Sequence, residues 1–331
     1  MYLPAGREGL TDRRLTYLFG SDHQRGIVRP ADGDVRNVGS TDLWRLRTDD
    51  SFLRLHIPGN FPRLKVRPAL DRIGTVLNLI TDPDLNPKVL GYASRLLREH
   101  GGRVINRPED VLRSSRDRMA DLLDGIDGLI VPRVARFRGH ANLALRAIES
   151  AGLRFPAILR AIGTHNGEIS GIVASPQALA AIIDRKEEYF LTEFVESRDQ
   201  AGLYHKIRLF FFGPDAVFRH RIISDQWNVH GPDRERFMVH HPAAIALERE
   251  MVQRGLAAFP AEVRSVLQAV RARVPLDYFG IDFALMSDGR LLLFEANATM
   301  NFFSMSREPP FDYFEPLLAE AQAKFTAMIE A

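Results

Sequence analysis

Residues 278–301, YFGIDFALMSDGRLLLFEANATMN, constrain this chain more than any other stretch. Two apolar runs flank Ser287-Asp288-Gly289-Arg290, the pattern of a β-hairpin closed by a glycine-containing turn. Closing the hairpin at 287–290 sets Met286 opposite Leu291 and Asp282 opposite Glu295. On the apolar side it sets Phe283 against Phe294 and Leu285 against Leu292. Carboxylates facing one another across strands repel, so this register calls for a compensating charge. Asn297 lies two residues beyond Glu295, points the same way and adds an amide oxygen. Two carboxylates and an amide suit a hard cation such as Mg2+, which takes few protein ligands and completes its shell with phosphate and water. For an Asp/Glu pair alone, solvation or a salt bridge is the plainer reading. Asn297 and the apolar backing favour the cation.

The remaining text sets bounds. At 331 residues the chain suits two or three packed subdomains. Lys plus Arg number 44 against 42 acids, a net charge of +2, so composition makes no case for a nucleic-acid partner. The absence of cysteine excludes disulfides, thiolate metal sites and a cysteine nucleophile. No apolar run reaches membrane-spanning length and the N-terminus lacks a signal-peptide core, so a cytoplasmic enzyme is expected, with a homodimer the prior for any self-association.

Residues 1–73 carry only short apolar pieces and read as an N-terminal extension of unassigned role. From Gly74 the order changes to a buried-strand run, GTVLNLITD, a helical spacing over 87–100 and a second strand at RVINRP, which together predict a small parallel sheet over 74–117. FPAILRA and ISGIVAS then read as strands around the turn GTHNGE. A glycine-containing turn of that kind can lay backbone N–H groups over phosphate oxygens. The strand YFLTEFVES follows a helix at 176–186.

LYHKIRLFFFGPDAVFRHRIISDQW forms a second hairpin. With its turn at 213–216, Arg208 falls opposite Arg221 and Phe210 opposite Arg219. Facing arginines are unfavourable unless an anion or carboxylate lies between them. His230, His240 and His241 follow in a polar stretch, but their spacing fits no zinc pattern. Residues 242–273 are helical around Pro260, and a final helix spans 313–329.

Gly-Ile-Asp-Phe, a turn, then Leu-Phe-Glu-Ala-Asn resembles the C-terminal signature of the ATP-grasp superfamily, which includes D-alanine–D-alanine ligase, glutathione synthetase and the ribosomal-protein glutamate ligases. The resemblance spans about 74–330. It implies an α/β (α+β) architecture: an ATP-grasp fold preceded by a small open α/β domain, with a central subdomain over 118–200 and a C-terminal subdomain over 201–331. It implies ATP as nucleotide and Mg2+, or Mn2+, held by Asp282, Glu295 and Asn297. Asn106-x-Pro108 with the helix behind it resembles the family segment that ends in a nucleotide-contacting lysine, here Arg118. Arg160 stands where the family has a phosphate-gripping lysine, and Gly163, Thr164, His165, Asn166 and Gly167 resemble its phosphate cover. Glu193, Phe194 and Val195 match the adenine-contacting hinge, with Glu196 or Asp199 toward the ribose. Arg208 matches the arginine of the "Ile-Arg-x-Phe" strand, and Arg221 resembles a later arginine of the ribosomal-protein glutamate ligases. The implied activity joins a carboxylate to an amine or thiol through an acyl-phosphate, with a small-molecule or peptide acceptor. Two other classes remain open: a nucleotide-binding regulatory protein with little turnover, and a phosphotransferase that does not ligate.

Overall fold

A computed structural model describes residues 14–23, 27–28, 36–47, 52–65, 68–163, 171–303 and 308–331. The chain builds three principal sheets. The first is a four-stranded parallel sheet in the order Leu53–Pro58, Arg14–Ser21, Ile73–Asn78, Val104–Ile105. The two strands expected after Gly74 are there, joined by the helix Pro87–Leu97, which buries Val89, Leu90, Ala93 and Leu97. The boundary expected at residue 73 is not. Arg14–Ser21 is an interior strand of this sheet, with Tyr17 and Leu18 fully buried, so the small α/β sheet draws on residues well before Gly74. Its strand signal is short, and most of the text between Ser21 and Leu53 is polar, which hid the pairing from a reading of local pattern.

The central unit has its own core. Antiparallel strands in the order Gly171–Val173, Ala157–Ala161, Glu188–Glu193, Val134–Arg138 carry the helices Ala141–Ala151 and Pro176–Ile182. Ala135, Phe137, Ile148, Leu159, Leu179 and Leu191 form a cluster separate from the rest of the protein's core. The unit therefore spans about 134–193, narrower than the expected 118–200. The strand Leu129–Ile130, just before it, belongs to the third sheet.

The third sheet runs Asp215–Ser224, Tyr204–Phe212, Tyr278–Leu285, Leu291–Asn297, Leu129–Ile130, and both hairpins expected from the sequence lie in it. Asp282 pairs with Glu295 as expected, but by a different route. Near the turn the register is Leu285 with Leu291 and Phe283 with Leu293, not Phe283 with Phe294 or Leu285 with Leu292. Met286 N–H bonds to the Arg290 carbonyl at 2.8 Å, so the loop is 287–289, one residue shorter than a closure at 287–290. A bulge between Asp282 and Phe283 restores the lost residue, and the two offsets cancel at the carboxylates.

In the other hairpin the loop is only Gly213-Pro214, with Gly213 at φ +56. Phe210 consequently faces Val217, not Arg219. After a bulge beyond Leu209, Arg208 faces His220, and Arg221 faces Ile207. The expected arginine–arginine confrontation does not exist. Arg219 is the unpaired residue of that bulge.

The first and third sheets share one core, and polar contacts lock them together. Asn106, buried and at φ +53, donates from Nδ2 to the Tyr278 carbonyl at 2.8 Å and accepts the Tyr278 N–H at 3.0 Å. Its side chain thus pairs with the edge of Tyr278 as a strand residue would. Among the described residues no helix is long and apolar enough to cross a membrane.

Candidate active site

Pairing places Asp282 and Glu295 side by side on adjacent strands, and arginines surround them. Arg208, across the neighbouring strand pair, holds Asp282 with two parallel bonds, Nε to Oδ1 at 2.6 Å and Nη2 to Oδ2 at 2.7 Å. Its Nη1 reaches the Asn301 carbonyl at 3.3 Å. Lys206 Nζ lies 4.0 Å from Asp282 Oδ2. Arg116 donates from Nη2 to Glu295 Oε1 at 2.9 Å and from Nη1 to the Phe294 carbonyl at 2.9 Å. The Arg160 guanidinium makes no hydrogen bond or ion pair among the described residues, yet it lies within the field of Arg116, Glu295 and Asp282. Four cations thus converge on two carboxylates. That excess of positive charge fits a polyanion such as a triphosphate.

The electrostatics follow from this crowding. Burial would raise the Glu295 carboxyl, but Arg116, Arg160 and Arg208 overcome it and hold the group at about 2. Burial lowers Lys206, opposed by the Asp282 charge. Burial also works against the Arg208 cation, but Asp282 more than restores it, so Arg208 stays above its ordinary value.

Other expected site residues divide into those the fold brings toward this cluster and those it does not. Arg118 does not reach it. That side chain is exposed and bonds the Leu112 carbonyl at 3.0 Å. Two helical residues lie about 200° apart, so Arg116 takes the inward face and Arg118 the outward one. The signal was present, because Arg116, Met119 and Leu123 share the helix face that the apolar spacing marks as buried. Arg221 is also misplaced. Its Nε lies 3.3 Å from His205 Nδ1 and its Nη1 3.5 Å from Met251 Sδ, on the sheet face opposite Arg208. The bulge beyond Leu209 moved it out of register.

Asp199 is engaged as a turn cap, accepting the Ala201 and Leu203 N–H groups on Oδ1 at 2.8 and 2.9 Å and facing His205 Nε2 with Oδ2 at 2.8 Å. That leaves Glu196, exposed and bonded to Arg198 and the Tyr204 hydroxyl, as the acid past the hinge. In the hinge, Glu193 pairs with Arg154 at 3.1 Å, and Phe194 N–H is taken by the Pro156 carbonyl at 2.9 Å. Val195 N–H has no backbone acceptor among the described residues. Gly163 sits at φ +84, a left-handed conformation that favours glycine there. Thr164, His165, Asn166 and Gly167 lie outside the described residues.

Magnesium is the cation the carboxylate pair invites. Asp282 and Glu295 suit it by chemistry and by placement, for Mg2+ riding on phosphates needs only one or two carboxylates. Asn297, the expected third ligand, is oriented otherwise. Its Oδ1 accepts the Thr299 and Met300 N–H groups at 2.8 and 2.9 Å, and its Nδ2 donates to Glu295 Oε1 at 2.6 Å. Asn297 here shapes the following loop and steadies Glu295. Among the described residues no group of three or more His, Asp or Glu side chains is set to hold a metal.

That loop is held by a segment the sequence left unassigned. Buried Asp42 accepts the Phe302 N–H on Oδ1 at 2.6 Å and the Phe303 N–H on Oδ2 at 3.0 Å, while Thr41 Oγ1 donates to the Met300 carbonyl at 3.0 Å. Nothing in the local pattern around Asp42 marks this role, since its partners lie about 260 residues away.

No family model matches the sequence, and no curated protein matches it. Solved structures do. The D-Ala:D-Ser ligase VanG from Enterococcus faecalis is 13% identical, with 96% of this chain and all of that chain covered, at a TM-score of 0.52. D-alanine–D-alanine ligase from Bacillus anthracis is 12% identical over 96% of this chain and 98% of that one, at 0.50. Macrocyclase MdnC bound with precursor peptide MdnA, from Microcystis aeruginosa, is 12% identical over 94% and 99%, also at 0.50. At such identities the likeness is one of fold.

Proposed function

The chain carries the ATP-grasp fold, and we propose that it is an ATP-dependent ligase joining a carboxylate to an amine, or to a thiol, through an acyl-phosphate. The observation that carries this reading is the Asp282–Glu295 pair ringed by Arg116, Arg160, Lys206 and Arg208. In the reaction, a substrate carboxylate oxygen attacks the γ-phosphorus of ATP and ADP departs. The amine nitrogen then attacks the acyl carbon, phosphate leaves, and the nitrogen loses a proton. Charge neutralisation and alignment are the main demands of such steps.

The residues divide these tasks. Arg160, whose guanidinium has no bonded partner among the described residues, grips phosphate oxygens as a fork. Val195 offers a backbone N–H to the adenine edge and Glu196 a carboxylate to the ribose. Arg208, anchored between Asp282 and the Asn301 carbonyl, presents positive charge to the reacting phosphoryl and acyl oxygens. Asp282 and Glu295 would hold Mg2+ (or Mn2+), which when bound shields phosphate charge. The second carboxylate-bearing or amine substrate, an amino acid, small amine or peptide, enters beside the loop that Asn297 and Asp42 hold.

One observation favours a second reading, a nucleotide-binding regulator with little turnover. Arg208 already holds both Asp282 oxygens, and a cation competing for them has to displace it. ADP release decides between the readings. A ligase releases ADP turnover after turnover only when an acid and an amine are both present. A phosphotransferase needs one substrate, and a regulator releases almost none.

A further inference from the structure

A buried guanidinium without an anion is costly, and a native fold that keeps one calls for an explanation. Arg219 is such a group. It is 1% exposed, and among the described residues neither Nη1 nor Nη2 has a hydrogen-bond partner. Its Nε donates to the Phe302 carbonyl at 2.8 Å, and its guanidinium lies between the Phe302 and Phe314 rings, 5.3 and 5.2 Å from their centres. Ring faces and one carbonyl soften the cost without supplying a counter-charge.

The acids close to Arg219 are engaged elsewhere. Glu248 binds Arg234, the Tyr313 hydroxyl and the Arg221 N–H. Asp42 accepts the Phe302 and Phe303 N–H groups. The neighbour of Arg219 in the bulge, His220, is buried too, and among the described residues both of its ring nitrogens lack partners. Burial and the nearby Arg208, Arg234, Arg219 and Lys206 charges hold it neutral. One bulge therefore brings together three groups unengaged among the described residues, two guanidinium N–H₂ arms and an imidazole, where Arg208, Arg234 and Lys206 add positive charge and the nearby acids are already bound.

We infer that Arg219 and His220 form a receptor for a carboxylate of the substrate, distinct from the carboxylate that is activated. A planar guanidinium with two adjacent free arms matches the two oxygens of a carboxylate, and neutral His220 adds one N–H. Place sets the role. Arg208 bonds the Asn301 carbonyl and Arg219 the next one, Phe302, so the receptor sits one loop residue beyond the arginine that holds the Asp282 carboxylate. A substrate whose reacting carboxylate meets Arg208 would set a second acidic group against Arg219. The substrate class is then an acid with two carboxylates, free or as an acidic residue in a peptide. This assignment to the substrate rests on the ligase reading, whereas the receptor rests on the geometry alone.

The test is thermal melting of the full chain with glutarate, with its uncharged counterpart glutaramide and with inorganic phosphate. Glutarate is expected to raise the wild-type midpoint by several degrees and glutaramide to leave it unchanged. Arg219→Met is expected to melt above the wild type, because it removes a buried unpaired charge, and to lose the glutarate shift. Should it fail to fold, Arg219→Lys keeps the charge without the fork and is expected to weaken glutarate at least tenfold. The receptor is overturned by a wild type indifferent to glutarate or by a shift that persists in Arg219→Met and Arg219→Lys. Stabilisation by phosphate alone overturns the carboxylate class. ATP binding, measured separately on the wild type, reports on the ligase reading. Its absence beside an intact glutarate shift sinks that reading and leaves the receptor standing.

Discussion

Arg208 and Asp282 form a two-pronged ion pair, Nε to Oδ1 at 2.6 Å and Nη2 to Oδ2 at 2.7 Å, with Asp282 only 4% exposed. From the sequence, Asp282 and Glu295 faced each other and repelled, so neutralising either acid was expected to relieve the fold. The pair reverses that expectation for Asp282. Breaking a buried ion pair strands the remaining charge, at a cost of about 3 kcal/mol. Asp282→Asn should therefore lower stability by about that much in urea unfolding, besides abolishing metal-dependent turnover. Adding Arg208→Met should recover most of the stability and none of the turnover. A variant as stable as the wild type would show that the pair contributes nothing.

Arg116 and Arg118 offer a clean contrast, because both are arginines of one helix turned to opposite sides. Arg116→Ala should weaken Mg·ATP binding by about tenfold or more, as one charge-assisted contact is lost. Arg118→Ala should leave it unchanged. Calorimetric affinities check both, and the opposite ranking would return the nucleotide role to Arg118.

Glu295 should titrate near 2, held there by Arg116, Arg160 and Arg208 against the effect of burial. A depressed carboxyl adds stability that is present above its unfolded value near 4.5 and lost as pH falls toward 2. Carbon-detected titration of its carboxyl in the wild type and in Arg116→Ala should show the midpoint rise when the arginine is gone. A wild-type midpoint near 4.5 would mean that the arginines do not enclose it.

His220 is lowered well below 6.5 by burial and by the surrounding cations. A histidine that resists protonation only when folded leaves stability intact above 6.5, and stability then falls as the unfolded chain gains the proton. Between pH 6.5 and 5, His220→Gln should flatten the stability profile by up to one proton, about 1.4 kcal/mol per pH unit. An unchanged slope would place the proton uptake at other groups.

Much of this arrangement was readable from pattern, and the rest failed for identifiable reasons. The Asp282–Glu295 pairing was legible because the SDGR turn and the apolar alternation both point to it. The shorter loop and the bulge that offset each other there leave no trace in composition. In the neighbouring hairpin nothing cancelled, so the expected partner of Arg208 was wrong and Arg221 came out on the wrong face. The bulge position of Arg219 depends on that same slip. Asn297 was rightly placed beside Glu295, but which way its amide turns is decided by the N–H groups of Thr299 and Met300. Asp42 and the strand Arg14–Ser21 act only through partners distant in sequence, where local periodicity carries no information.

The most direct test of the account is calorimetric titration of ATP, with and without Mg2+, into the wild type and Glu295→Gln. The account predicts binding that requires magnesium and weakens in the variant. A folded wild type that binds no ATP under either condition would contradict it.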